Sequence, residues 1–187
     1  MKKLLSCLIF LVVTSCQLNG AAAKKQDSNP YDIIQHQTTE IIRAIQAKKY
    51  KKARNLIAKS SHQAINNALS QGSTPLSVAI EENDDRMVRF LLAHGAEASE
   101  HTLYQAVFAY LNVPGDSFDR SERIARAHNI VALLLERGIY INNEIKNYLG
   151  VLEMEPSDRV RQEELLRVQE LLNKYEYHRP PLAAPWG

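Results

Sequence analysis

Cysteine is almost missing from this chain: of 187 residues only Cys7 and Cys16 are cysteine, and both lie within the first sixteen. Everything after Cys16 must therefore fold without a disulfide, and it holds no thiolate for nucleophilic catalysis or for a cysteine-based zinc site. Glycine and proline are sparse at seven each and scattered, which excludes a phosphate-cradling glycine loop and argues against a turn-rich β-fold. The six histidines, His36, His62, His94, His101, His128 and His178, show no His-x-x-x-His spacing, so no metal site is expected. Excess charge of one sign is missing too. Lys2 and Lys3 account for the whole formal +2, and the remainder balances 21 basic residues against 21 acidic ones. Nucleic-acid binding, which needs a concentrated basic face, has no support. No cofactor and no small-molecule substrate are expected.

Long apolar runs are limited to one, Leu4 to Val13, directly after Lys2 and Lys3. About ten residues are too few for a spanning helix, which needs about twenty, but they suit a secretory signal. Val13-Thr14-Ser15-Cys16 resembles the lipobox of bacterial lipoproteins, in which the cysteine is acylated and becomes the new N-terminus. That resemblance implies lipidation at Cys16, with Val13 standing where Leu is commoner. Gln17 after the cysteine resembles the pattern sent to the outer membrane, which places the chain on the periplasmic side of a bacterial envelope. The alternative is a plain secretory signal cut among Ala21, Ala22 and Ala23, leaving a soluble periplasmic protein. Residues 1–15 then form the signal, 16–29 a lipidated N-terminus with a polar tether, 30–177 the folded part and 178–187 a tail. That tail, "HRPPLAAPWG", reads as extended and proline-rich.

Between these ends the sequence repeats itself. "AIQAKKYKKARNLIAK" from Ala44 aligns without a gap on "AIEENDDRMVRFLLAH" from Ala79, a period of 35 residues. "VALLLERG" from Val131 parallels "VRFLLAHG" from Val88, and "VQELLNK" from Val168 is a weaker copy. In the first halves, Leu103 and Ala106 fall on Leu76 and Ala79. Each unit reads as two antiparallel helices, the inner one packing through Leu76, Ala79 and Ile80 and the outer one through Val88, Leu91 and Leu92.

The stretch "GSTPLSVAIEENDDRMVRFLLAHGAEAS" resembles an ankyrin repeat in Gly72, Thr74, Pro75, Leu76, Ala79, Val88, Leu91, Leu92, Gly95 and Ala96. The resemblance implies an all-α solenoid of about four helix pairs. Ser77 stands where the family usually has His, which implies one weakened bond between units, and Asn83 stands where it usually has Gly. Leu103 follows Leu76 by only 27 residues, too few for a full hairpin finger. The third unit is enlarged by "VPGDSFDRSERIA" from Val113, with Ser121 as the expected cap of a lengthened outer helix.

No catalytic constellation is apparent. Ser60, Ser61 and His62 lack the strand and Gly-x-Ser-x-Gly of a hydrolase elbow, and Glu81 to Asp84 read as a solvated turn. "KKYKKAR", Lys48 to Arg54, is open to three readings: a lipid contact, a partner contact, or pairing of Lys48 and Lys49 with Asp84 and Asp85 of the next unit. In the family, partners are met by the fingers and the concave inner-helix face. Carried onto this chain, that implies Ser70, Gln71, Ser73, Glu81 and Glu82, with His94 and His101 at the edge. Phe118 in the insertion is a separate candidate because long loops on rigid scaffolds often carry function.

The expectation is thus a non-enzymatic, membrane-tethered module binding a protein partner. An immunity or inhibitor lipoprotein against an envelope-targeted toxin or enzyme is the alternative within that class. A small enzyme with a pocket between the insertion and the inner helices is the alternative outside it.

Overall fold

Thr74 starts the best-defined helix of the structure by capping it: its hydroxyl accepts from the Ser77 amide at 3.1 Å, and Ser77 Oγ accepts from the Thr74 amide at 3.0 Å. Pro75 follows at the first helical position, where an amide proton would have no partner anyway. The same device recurs at Ser99 and Thr102. Ser77 was expected to weaken a bond between units. Instead it has a local task, and it is 7% exposed while performing it.

The computed structural model describes residues 29–69, 72–113, 119–154 and 159–177. The elements are α1 (Pro30–Gln46), α2 (Tyr50–Lys59), α3 (His62–Asn66), α4 (Pro75–Glu81), α5 (Asp85–Ala93), α6 (Glu100–Leu111), α7 (Arg120–Glu136), α8 (Asn143–Met154) and α9 (Arg159–Tyr177). No strand occurs among the described residues. From Tyr31 onward the chain is one unit; residues 1–30 form another, of which all but the last two lie outside the described residues.

The helices pair as α4/α5, α6/α7 and α8/α9, with α2 joined to α1 by Lys52 on Glu40 at 3.0 Å, and the pairs stack: α4 lies on α6 and α6 on α8, while α2, α5, α7 and α9 follow one another in an outer row. Small residues occupy equivalent inner positions, with Ala44, Ala79 and Ala106 all buried. Leu76, Ile80, Leu103, Val107 and Ile145 fill the space around them, and Val88, Leu91, Val131, Leu134 and Val168 do the same in the outer row. Each fully buried Leu, Ile or Val contributes about 1.5–3 kcal/mol relative to exposure. The protein is all-α, a solenoid of four helix pairs.

The 35-residue period is visible in the backbone. Lys48 and Asn83 both sit in the left-handed region, with φ of 53° and 54°. The amides that follow close the same bonds, Lys49 N–H to Ala44 O at 2.9 Å and Asp84 N–H to Ala79 O at 3.0 Å. One turn is thus built twice, which also explains why Asn in place of Gly is tolerated at position 83.

Two features depart from the sequence reading. Ser121 lies inside α7 rather than capping it; the helix begins at Arg120, and Asp119 before it makes no side-chain cap bond. The short helix α3 was not foreseen. It is tied to α1 by Thr38, fully buried, whose hydroxyl donates to Ala64 O at 2.8 Å. It reaches the next unit through Asn66, which donates to Gly95 O at 2.9 Å and accepts from the Glu97 amide at 2.8 Å. That pair of bonds joins neighbouring units, the task the sequence reading assigned to the missing His.

Candidate interaction surface

Along α6, Leu103, Ala106, Val107 and Tyr110 turn into the core. Helical geometry then sends His101, Tyr104, Phe108 and Asn112, spaced three or four apart, to the opposite face. Phe108 is 47% exposed. Tyr104 stacks between His101 and Phe108, with ring centroids 6.4 Å apart on either side. Tyr148 of α8 completes the set, 5.7 Å from both Tyr104 and Phe108. Asn112 holds Tyr148 in place by donating to its hydroxyl at 2.9 Å, and it also donates to Phe108 O at 2.8 Å. The result is an aromatic cluster on the inner-helix face, prefixed by its own contacts rather than loose in solvent.

Tyr104, Phe108 and Asn112 of this cluster form one wall of a groove of about 370 Å³, whose other walls carry Glu81 from α4 and Arg123 from α7. Asn83 closes its floor by donating from Nδ2 to Arg123 O at 2.7 Å, so the left-handed turn of the second unit is fastened to the first turns of α7. An apolar, aromatic bed between one acidic and one basic side chain suits an amphipathic segment of another chain: large rigid rings supply contact area at low entropic cost, and the charges orient.

The sequence-derived candidates distribute unevenly about this groove. Glu81 lines it, and His101 joins it through its stack on Tyr104. Glu82, the next residue, instead lines a second groove of about 670 Å³ with Lys48, Tyr50, Arg54, Asp84 and Asp85. His94 belongs to neither; it ends α5, stacked on Phe90 at 4.0 Å, and does not meet His101. Ser73 is half-buried, and its carbonyl accepts from the Leu69 amide at 3.1 Å. Ser70, Gln71, Phe118 and Cys16 lie outside the described residues.

The basic run and the acidic turn do share the second groove, yet no ion pair joins Lys48 or Lys49 to Asp84 or Asp85 among the described residues. Asp84 is occupied as the cap of α5, accepting from the Met87 amide at 3.0 Å. Lys52 pairs with Glu40 at 3.0 Å, which holds the Glu40 carboxyl below its ordinary pKa. Arg54 covers the Phe90 ring at 5.2 Å. Stacking of α2 on α5 therefore uses a cation over an aromatic ring rather than a row of ion pairs.

Tyr104, Phe108 and Tyr148 were missed from sequence. A signal existed for the first two, since Tyr104 and Phe108 are four apart on one helical face. Tyr148 is 40 residues further on, and only the stacking of α8 on α6 brings it there.

These observations define a class: an all-α repeat solenoid whose inner face presents an aromatic binding groove. Residues 71–102, spanning α4, α5 and the start of α6, match the family described as Ankyrin repeat. That stretch is similar to one ankyrin repeat, a unit that generally mediates protein–protein interaction and is typically non-enzymatic, and it lies within the all-α solenoid. No curated protein and no solved structure matches the chain.

Proposed function

We propose that this protein is a membrane-tethered interaction module of a bacterial envelope, holding a protein partner on the groove lined by Tyr104 and Phe108, against whose rings Tyr148 packs. The half-exposed Phe108, fixed between two tyrosines, carries this reading, because an immobilised aromatic set beside opposite charges is the usual make-up of an interface centre. The tether rests on the lipobox-like Val13-Thr14-Ser15-Cys16. An acyl anchor adds about 0.8 kcal/mol per buried methylene, so several chains hold the scaffold at the membrane while the groove selects the partner.

Two measurements test the halves separately. A photo-crosslinking residue at Gln105, in the groove, is expected to capture a protein in cells; the same residue at the exposed Arg89 of α5 is not, and Phe108→Ala is expected to abolish the Gln105 adduct. Equal adducts at both sites, indifferent to Phe108, would remove the groove from the account. Palmitate incorporation and membrane fractionation are both expected to disappear with Cys16→Ser, and retention of either rejects the anchor.

A further inference from the structure

The basic run at the start of α2 has no part in the aromatic groove. Residues 48–59 carry six basic side chains, Lys48, Lys49, Lys51, Lys52, Arg54 and Lys59, and no acidic one, in a chain whose charges nearly balance overall. All six are exposed. Lys52 is held by Glu40, and Arg54 lies over the Phe90 ring. Lys48, Lys49 and Lys51 enter no ion pair among the described residues. They also stand where the fold gains nothing from them. One period after Lys49 comes Asp84, whose carboxylate caps α5; Lys49 makes no cap bond, and the lysines beside it meet the positive end of the α2 dipole.

The repeat carries this patch onto the next unit. Adding 35 residues places Arg86 on Lys51 and Arg89 on Arg54, and because α2 packs on α5 the two pairs lie side by side along the outer row. Arg86 and Arg89 are exposed and form no ion pair among the described residues. On α7 the equivalents are Asn129 and Ala132, so the row stops at the second unit. Of the acids across the second groove, Asp84 caps α5 and Asp85 accepts from Asn129 at 3.4 Å, which leaves Glu82 against the patch. The positive charges are spread along a turn and two helices instead of converging on one point, and lysine, a compact point charge, leads them. Tyr50 stands among the lysines, 48% exposed, and an aromatic ring with a hydroxyl is the side-chain type that collects at the headgroup level of membranes. One ring offers no stacking path for the successive bases of a nucleic acid. We propose that this face, Lys48 to Arg54 with Arg86 and Arg89, docks against an anionic lipid surface. Resting on the membrane reading of the protein, the proposal gives the scaffold an orientation: the outer row of the first two units meets the headgroups, and the inner-helix groove stays open to the partner.

Vesicle sedimentation tests this without the anchor. The packed core runs from Ile41 to Leu172, so a chain lacking residues 1–28 keeps every described helix and has lost both Cys16 and the apolar run. It is expected to bind phosphatidylglycerol vesicles and not phosphatidylcholine vesicles. Raising salt from about 0.1 M to about 1 M, which shortens the screening length from about 10 Å to about 3 Å, is expected to release it. Each basic residue near an anionic surface changes partitioning about fivefold, so Lys48→Gln, Lys49→Gln and Lys51→Gln together are expected to weaken binding about hundredfold. Arg86→Gln with Arg89→Gln is expected to weaken it about twenty-fivefold on the same scale. Arg137→Gln, at an exposed cation outside the face, is expected to change it little. With the single native tryptophan removed as Trp186→Phe, the emission of Tyr50→Trp is expected to shift to the blue on phosphatidylglycerol vesicles alone.

Equal binding to the two kinds of vesicle overturns the proposal, as does binding that the lysine and arginine substitutions leave unchanged. A loss with Arg137→Gln as large as that of a patch residue also overturns it, because net charge and not this face is then at work. Tighter binding to a short DNA duplex or to an acidic protein than to the vesicles overturns it as well and gives the face to that partner. Helical circular dichroism retained in every variant keeps a loss of binding from being a loss of fold. Since the measurement involves neither Cys16 nor Phe108, its failure leaves the palmitate and Gln105 results standing. If the vesicles are bound through this face while Cys16→Ser changes neither palmitate incorporation nor fractionation, the anchor alone falls.

Discussion

Tyr110 carries a hydroxyl into the core without a hydrogen-bond partner there, although the residue is only 1% exposed. Burial, with the nearby Glu164 adding to it and Arg167 opposing, raises its pKa above the ordinary tyrosine value. Tyr110→Phe removes the orphaned oxygen and keeps the ring, so it is expected to stabilise the fold by about 1 kcal/mol in urea unfolding at neutral pH. A raised folded-state pKa also means that the unfolded chain loses its proton first. Stability is therefore lost as pH climbs from about 10 toward the folded value. The Phe variant is expected to show a flatter alkaline limb, and an unchanged limb would locate the alkaline loss elsewhere. At this scale the sequence was only partly legible. Tyr104 and Phe108 share a face by spacing alone, but nothing local marks Tyr110 as buried with its hydroxyl unpaired, since that depends on α7 and α9 covering it.

The helix ends were the most readable elements, because caps and left-handed turns are short-range. Thr74, Pro75 and Gly95 behave as their residue types dictate, and Gly95 and Gly138 end outer helices with φ of 89° and 77°. Their surroundings differ, and this separates two substitutions that look alike in sequence. At Gly138 an added Cβ meets nothing within 4 Å, so Gly138→Ala pays only left-handed strain, about 1–2 kcal/mol. At Gly95 the same carbon falls 2.8 Å from His62 Cδ2, so that ring must move as well. Gly95→Ala is expected to lower the thermal midpoint more than Gly138→Ala. Adding His62→Ala is expected to recover the excess and leave the strain; a double variant no better than Gly95→Ala alone would show that the ring gives way freely. The α3 helix that brings His62 there escaped the sequence reading: five residues show too little periodicity to be recognised, and Ser61, its cap, was weighed only as a nucleophile.

As a whole, the array has neighbours touching neighbours, so its cooperativity depends on the few bonds that cross between units. Asn66 makes two of them at one side chain, and Arg120 with Glu164 makes another, a 2.8 Å ion pair joining α7 to α9 with Glu164 only 3% exposed. Asn66→Ala is expected to cost about 1–3 kcal/mol and to uncouple the first unit, seen as a broader urea transition and earlier loss of amide protection in α1 and α2 than in α5 to α7. A single transition of unchanged steepness would place the coupling in apolar packing instead. The sequence by itself determined the all-α class, the 35-residue period, the small residues at the stacking positions and the turn at Asn83. Each follows from contacts within a few residues or from a pattern that recurs. Only the tertiary structure decided that Asn66 replaces the missing inter-unit bond, that Glu81 and Glu82 face different grooves, and that Tyr148 joins Tyr104 and Phe108. Those outcomes depend on how helices far apart in the chain turn toward each other, and no local spacing encodes that rotation.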